Sequence, residues 1–255
     1  MKLYRIIMTY GFVFLFIISN MCYFKKEEIK SLEVNSWGLS FKGNNEPNVE
    51  FDKDTLKEYN AFYQGEKGGN NLYLTFDCGY ELGYTSSILD TLKRHEIKAT
   101  FFIVGYYIKV APELVLRMLN EGHNVCNHTY NHPNMDSLNN DSLKKEIEDL
   151  EKSYYSLTNR QLNKYFRPPQ GVYSFEQLKL IKELGYKTIF WSVAYMDYDQ
   201  KNQYSYQKAL NLLNSRTHDG AIILLHNTSS TNEQILDEYI KNQLNKGFSF
   251  KKIDF

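Results

Sequence analysis

From Asn71 to the C-terminus, short apolar runs alternate with longer amphipathic stretches, and this alternation constrains the fold more than any other feature. Short apolar runs are typical of buried strands, and the stretches between them carry helical periodicity. Strands that alternate with helices form a parallel sheet, and seven or eight such units favour a barrel. We therefore expect one α/β domain, a distorted, partly open (β/α) barrel of about seven parallel strands. The expected strands are Leu72–Phe76, Ala99–Val104, His123–Cys126, Lys164–Phe166, Thr188–Trp191, Ala221–Leu225 and Ser249–Ile253.

The composition narrows the class of protein. With 255 residues, 42% of them hydrophobic, the chain is long enough for one sizeable domain with its own core. Its 30 basic and 30 acidic residues cancel, so no basic field attracts nucleic acid, and we expect no such partner. The three cysteines, Cys22, Cys78 and Cys126, are too few for a disulfide scaffold. We also expect a monomer.

The N-terminus carries a separate signal. Lys2 and Arg5 precede an apolar run over residues 6–24, and charged residues follow it directly. A run of roughly 20 apolar residues is long enough to span a membrane, and it also fits an export signal. No small-x-small cleavage site is evident, which favours an uncleaved anchor, and the preceding basic residues place the remaining chain outside the cytoplasm. The alternative is a buried helix of the globular domain.

These patterns divide the chain into three parts. Residues 1–28 are predicted to form the hydrophobic N-terminal helix, a signal or membrane anchor. Residues 29–68 show little periodicity and several turn-forming residues, so we interpret them as a stalk and lead-in segment. Residues 69–255 form the barrel domain, which we expect to be exported, either anchored to the membrane or secreted.

Polar side chains follow five of the expected strands. Because the carboxyl ends of barrel strands gather on one face, and that face carries the active site in such folds, we expect these residues to lie close together. They are Asp77 and Cys78, His128 and His132, Arg167, Asp197 and Asp199, and His226 and Asn227.

The residue types at these strand ends indicate metal-assisted hydrolysis. On a helical turn, His128 and His132 at spacing i, i+4 would present both imidazoles to one metal ion; the alternative is two surface histidines. Asp77 ends an apolar strand, where a carboxylate is costly unless it is paired or functional. A general base that activates water fits Asp77, and a helix cap is the alternative.

Three further residues complete the set. Arg167 precedes two prolines, which fix its backbone, and its guanidinium can hold a carboxylate; the Pro pair also fits a helix start. His226 can act as an acid for a leaving nitrogen, with Asp197 holding its other ring nitrogen.

The motifs around these residues, taken in order, resemble the five motifs of the polysaccharide deacetylase (NodB-homology) family. Smaller motifs are similar to those of the delta-lactam-biosynthetic de-N-acetylases, which act on muramic acid residues of peptidoglycan during spore cortex formation. The family motifs are Thr75–Tyr80, Asn127–Pro133, Arg167–Gly171, Trp191 with Asp197, and Leu224–His226, and the subfamily motifs are Trp37–Gly38, Gly79–Glu81, Gly83–Thr85 and Phe190–Ser192.

The resemblance implies a role for each matching residue. Asp77 would be the catalytic base, oriented by Arg167, and His226 the acid, assisted by Asp197. His128 and His132 would bind a divalent ion, with zinc expected. The substrate-binding residues would be Gln170 through its backbone N–H in the oxyanion hole, Leu225 and Trp191 lining the acetyl pocket, and Tyr173.

Cys78 stands where the family carries a metal-binding Asp. As a thiolate it would be a third ligand beside the two imidazoles. It could instead be a small hydrophobe, or it could pair with Cys126. Gln170 replaces a Tyr that is common after the two prolines, and Ala194 stands where many members carry another Asp.

The function expected from this resemblance is hydrolysis of the N-acetyl group of peptidoglycan amino sugars, with N-acetylmuramic acid as the sugar and the glycan strand as partner. The first alternative is a deacetylase for N-acetylglucosamine in chitin-type or wall substrates. The second is a non-catalytic glycan-binding protein on the same scaffold, for which Cys78 is the argument.

Overall fold

The computed structural model describes residues 33–43 and 45–255. The predicted N-terminal hydrophobic helix and the anchor at residues 1–28 lie outside these residues. Within the described ranges, no helix is both long enough and apolar enough to span a bilayer.

The core of the fold is a curved, parallel sheet. The strands of the described residues are β1 (Asn35–Ser36), β2 (Ala61–Phe62), β3 (Asn71–Cys78), β4 (Thr100–Ile103), β5 (Asn124–Asn127), β6 (Asn163–Phe166), β7 (Val172–Tyr173), β8 (Lys187–Ile189), β9 (Ile222–His226) and β10 (Ser249–Phe250). The hydrogen-bonded order of the sheet is β10-β3-β4-β5-β6-β8-β2, and β9 pairs with β3 as well. A two-stranded antiparallel pair, β1 with β7, lies apart from it.

The sheet curls towards closure without completing a barrel. A single parallel bridge between Val193 and Ile223 joins the chain after β8 to β9. Each of the seven predicted strands is present, and the prediction of a distorted, partly open (β/α) barrel is confirmed.

Helices cover the outer surface of the sheet. The helices of the described residues are α1 (Lys53–Glu58), α2 (Thr85–Arg94), α3 (Gly105–Val110), α4 (Pro112–Asn120), α5 (Asn140–Thr158), α6 (Phe175–Glu183), α7 (Tyr206–Arg216) and α8 (Ser230–Asn245), with 3₁₀ turns at Met135–Ser137 and Pro169–Gly171. The helix α6 begins with a capping box, in which the Ser174 hydroxyl accepts from the backbone N–H of Gln177 and the Gln177 side chain accepts from the Ser174 N–H.

The segment predicted as a stalk is part of the domain from at least residue 35, which corrects that prediction. The strand β2 extends the main sheet beside β8. Trp37 is buried, its ring stacks on Phe190 at 4.6 Å, and its indole N–H donates to the carbonyl of Trp191 at 2.9 Å. Strands of two residues leave no periodicity in the sequence, so the segment resembled a linker.

The twofold alternation of β3 decides which of its side chains reach the inside of the barrel. Leu74, Phe76 and Cys78 belong to the cluster beneath the outer helices. Thr75 and Asp77 point the other way, towards Arg167. The strand therefore separates a helix-facing apolar face from an inner face that ends in a carboxylate.

Candidate active site

Asp77 lies at the carboxyl end of β3 and is paired there with a buried arginine. Arg167, which follows β6, is fully buried, and its Nη1 donates to Asp77 Oδ1 at 2.7 Å and to Thr75 Oγ1 at 2.9 Å. Its Nε and Nη2 donate to the carbonyls of Ile189 and Phe190 at 3.0 and 3.2 Å. The guanidinium is held at four points, so it fixes one carboxylate oxygen of Asp77 and leaves the other free to act.

The electrostatics keep Asp77 ionised. Burial alone would raise the pKa of its carboxyl, but the charge and hydrogen bond of Arg167, with the nearby His128 and His226, outweigh burial, and the pKa is lowered. Within the site, Asp77 is therefore a negatively charged proton acceptor at neutral pH.

His128 and His132 come together in a loop, not on the helical turn that was predicted. Thr129 and His132 have left-handed backbones, with φ of 66° and 54°, so the segment that joins the two histidines is not helical. Their ring centroids lie 4.9 Å apart. The two imidazoles therefore lie side by side on a backbone other than the predicted helical turn, and their shared binding of one metal ion stays a prediction.

The loop is held by Glu146 on α5, a residue that the sequence analysis missed. Its carboxylate accepts from the backbone N–H groups of Tyr130 and Asn131 at 3.0 and 2.7 Å, and from the Asn131 side chain at 2.7 Å. A carboxylate on a long amphipathic helix resembles any solvated surface residue, so the sequence carried no signal for this contact.

The two imidazoles suit a divalent ion. The Nδ1 of His128 lies 2.8 Å from the carbonyl of Arg167, an arrangement in which Nδ1–H donates and Nε2 keeps its lone pair. Burial lowers the pKa of His128 to about 4 and also lowers that of His132, so both rings are neutral, as metal ligands must be. The Nε2 of His128 lies 3.6 Å from Asp77 Oδ2, so the donor atoms border the carboxylate.

Cys78 is not placed to be the third ligand, and this corrects the prediction. The strand β3 runs through Cys78, which pairs with Ile103, so its side chain points away from the face of Asp77. It is fully buried in the apolar cluster beneath the helices, where burial raises the pKa of the thiol well above its usual range. Across residues 33–43 and 45–255, no group of three or more His, Cys, Asp or Glu side chains is arranged to hold a metal ion.

The proposed pairing of Cys78 with Cys126 is also wrong. Both thiols are free. Cys126 lies in the apolar cluster inside the barrel with Phe102 and Ile189, whereas Cys78 lies in the cluster outside it. The remaining interpretation, that Cys78 is a small hydrophobe, fits its surroundings.

His226 ends β9 and is the register partner of Asp77 on the adjacent strand. Its Nδ1 lies 2.7 Å from Asp197 Oδ1, and its backbone N–H donates to Asp197 Oδ2 at 2.7 Å. Burial would lower the pKa of His226, but the charge and hydrogen bond of Asp197 outweigh it and raise the pKa. Asn232 at the start of α8 donates to Asp197 Oδ2 at 2.5 Å and fixes the carboxylate further.

The predicted substrate-binding residues divide into two groups. Gln170 lies in a left-handed conformation, φ 58°, in the 3₁₀ turn after Arg167, and Trp191 lies 5.7 Å from the Arg167 guanidinium. Trp191 therefore lies beside the buried ion pair, and Gln170 lies three residues after Arg167 in the chain. Tyr173 is buried against Phe190, at 4.9 Å between ring centroids, and cannot touch a substrate.

Leu225 is also excluded from the pocket. It lies in the outer cluster, on the opposite face of β9 from His226. Leu224, two residues before His226, shares the inner face with it and retains 6% exposure. The prediction of Leu225 is therefore wrong by one residue, because strand alternation places Leu225 on the outer face of the sheet and Leu224 on the inner face.

The comparisons with known proteins agree with this geometry. The family model described as polysaccharide deacetylase matches residues 64–189. The peptidoglycan-N-acetylmuramic acid deacetylase PdaA of Bacillus subtilis is 39% identical over 221 residues, which cover 86% of this chain and 84% of that protein. A peptidoglycan-N-acetylglucosamine deacetylase of Bacillus cereus is 34% identical over 199 residues, covering 76% of this chain and 71% of that protein.

A solved structure extends the match to three dimensions. The structure of Bacillus subtilis PdaA, described as a family 4 carbohydrate esterase, superposes with a TM-score of 0.83 at 39% identity, covering 88% of this chain and 96% of that one. The chain belongs to the polysaccharide deacetylase family.

Proposed function

We propose that this protein hydrolyses the N-acetyl group of peptidoglycan amino sugars, and that N-acetylmuramic acid is the sugar that loses its acetyl group. The family and the match to PdaA over most of both chains support the reaction and the substrate. Formation of muramic delta-lactam in the spore cortex is the process that this activity would serve.

The observation that carries the proposal is the pairing of Asp77 with His226 across adjacent strands. Their environments shift the two pKa values in opposite directions, downwards for the carboxyl and upwards for the imidazole. A carboxylate that favours its charged form and an imidazole that favours its protonated form therefore lie at adjacent strand ends, and hydrolysis of an amide requires such a base and acid.

In the proposed reaction, each of the site's groups has one role. Arg167 holds Oδ1 of Asp77, and Oδ2 takes a proton from the attacking water. The backbone N–H of Gln170 donates to the oxygen that becomes negative as the carbonyl is attacked. His226, held at Nδ1 by Asp197, gives the proton on Nε2 to the departing nitrogen. The products are acetate and a free amino sugar.

A divalent ion, with zinc favoured by two imidazole donors, would be held by His128 and His132. When bound, it would polarise the water and the acetamide carbonyl as a Lewis acid.

A second candidate is deacetylation of N-acetylglucosamine, because the Bacillus cereus relative carries that name. A non-catalytic glycan-binding role is disfavoured, since the acid and base with their partners Arg167 and Asp197 are in place.

The test is to incubate the full chain with peptidoglycan trimmed of stem peptides and identify the modified sugar by mass spectrometry. Acetyl loss from muramic acid is expected; loss only from glucosamine would transfer the proposal to the second candidate, and no loss would contradict both.

We also propose that residues 1–28 direct the domain out of the cytoplasm as a membrane anchor or signal, and that the protein acts as a monomer. The apolar run after Lys2 and Arg5 supports the topology. Protease added to intact cells should degrade the domain, and full protection of the domain in right-side-out vesicles would contradict export. Light scattering should give the mass of one chain, and a dimer mass would contradict the monomer.

A further inference from the structure

Several large hydrophobic side chains are exposed to solvent at the face of the barrel that carries Asp77 and His226. Exposed hydrophobic groups scattered singly need no explanation, but a cluster beside a site marks a surface that binds something. Of the ten large hydrophobic side chains that are exposed in the described ranges, five follow strands at this face: Tyr80, Leu82, Tyr106, Met196 and Tyr198.

Two of them form a pair. Tyr80 lies three residues after Asp77, and Tyr106 lies in the first turn of α3, which follows β4. Their ring centroids are 5.3 Å apart, and the side chains are 64% and 50% exposed. Tyr106 follows Gly105, whose backbone N–H donates to the carbonyl of Tyr130 at 2.9 Å. The pair therefore lies between the carboxylate strand and the histidine loop.

The backbone that presents Tyr80 is fixed by a network built around Glu81. The Glu81 carboxylate accepts from the backbone N–H of Gly83 at 2.6 Å, from the Tyr107 hydroxyl at 3.0 Å and from the Thr85 hydroxyl. A carboxylate that accepts three hydrogen bonds, two of them from the buried hydroxyls of Thr85 and Tyr107, restricts the conformations of this loop.

The same network reaches the catalytic acid. Asn227, the residue after His226, is fully buried, and its Nδ2 donates to the carbonyl of Tyr80 at 2.7 Å and to Thr85 Oγ1 at 2.9 Å. The position of the Tyr80 backbone is thus tied to the end of β9. The exposed ring of Tyr80 therefore lies on a backbone held by hydrogen bonds, close in sequence to Asp77 and linked through Asn227 to the strand of His226. Such a ring is preorganised to bind a ligand.

We propose that Tyr80 and Tyr106 form a stacking platform for a sugar ring of the glycan strand, next to the sugar that loses its acetyl group. This inference rests on the proposed function and deepens it. A tyrosine ring offers a flat apolar face with a polar tip, which matches the apolar face and peripheral hydroxyls of a pyranose. With a neighbouring sugar bound here, the enzyme prefers a polymer to a single sugar. Glu81 is a positioning residue for the platform.

The test compares substrates of different length. The full chain and its Tyr80→Ala and Tyr106→Ala variants are assayed on free N-acetylmuramic acid and on peptide-free glycan strands of several sugars. Each variant should lower the ratio of kcat/KM for the strand to that for the single sugar by about 2- to 13-fold, because an aromatic contact contributes about 0.5–1.5 kcal/mol. The change should lie in KM for the strand. Glu81→Gln should lower the same ratio by less.

Tyr155→Ala is the matched control, since Tyr155 is 49% exposed on α5. Ratios for Tyr80→Ala and Tyr106→Ala that equal the control would overturn the platform and leave the deacetylase intact. If the wild-type protein releases acetate from no glycan, the proposed function fails, and titration calorimetry with the same strands then decides the platform. Weaker binding by the two variants supports it, and binding equal to that of Tyr155→Ala overturns it.

Discussion

Replacement of Arg167 by Met tests how much the buried ion pair between Arg167 and Asp77 stabilises the fold. Met keeps an unbranched apolar side chain in the space but removes the guanidinium, so the buried carboxylate of Asp77 loses its counter-charge. Breaking a buried ion pair in this way costs about 3–5 kcal/mol of unfolding free energy. That is a large part of the ~5–15 kcal/mol that stabilises a typical domain. We expect a protein that still folds at low temperature but unfolds at a clearly lower urea concentration.

The double variant gives the sharper result. Asp77→Asn combined with Arg167→Met removes both charges, so its loss of stability should be smaller than the sum of the single losses by about 0.5–3 kcal/mol. Urea unfolding is followed by the fluorescence of the two tryptophans, Trp37 and Trp191, the second of which lies 5.7 Å from the guanidinium. The control Arg94→Met breaks an exposed pair and should cost at most ~1 kcal/mol. A loss for Arg167→Met no larger than the control, or strictly additive losses, would refute the reasoning.

Three further predictions concern the acid, the thiol and the histidine loop. If His226 must be protonated, activity is full below the raised pKa of His226 and is lost as the pH rises through that pKa. Asp197→Asn removes the charge that raises this pKa, so the alkaline limb of the kcat profile should move to lower pH. Cys78→Ser should leave zinc affinity unchanged but cost about 1–3 kcal/mol in urea unfolding, because the hydroxyl is buried among apolar groups. Glu146→Ala should weaken zinc binding about 10- to 100-fold in a chelator competition, whereas Glu148→Ala, at a half-exposed position on the same helix, should not. An alkaline limb that does not move with Asp197→Asn would contradict the role of Asp197. A zinc affinity that falls with Cys78→Ser would contradict the apolar role of Cys78. Equal zinc affinities for Glu146→Ala and Glu148→Ala would contradict the role of Glu146.

The sequence predicted the strands and the residues at their ends because both leave local signals. Apolar runs bounded by turn residues located each of the seven strands, and a polar residue such as Asp77 or His226 at the end of such a run is conspicuous. Parallel topology then brings those ends to one face, so the association of Asp77 with His226 followed without coordinates.

The errors arose where one residue of register or a distant contact decides the outcome. Cys78 and Leu225 each lie beside a site residue in sequence, and alternation sends each to the opposite face of its strand. Tyr173 packs in a core formed partly by the N-terminal segment around Trp37, which has no periodicity to reveal it. Glu146 contacts the histidine loop from the following helix, and neither helical periodicity nor a motif in the sequence indicates that contact.

The central claim is that Asp77 and His226 carry out amide hydrolysis together. Acetate release from peptide-free glycan strands by the wild-type chain, Asp77→Asn and His226→Ala tests it most directly, with circular dichroism to confirm that each variant is folded. Loss of a general acid or base should lower the rate by about 10²–10⁴-fold. Acetate release by a folded variant within about threefold of the wild-type rate, far less than such a loss, would contradict the account.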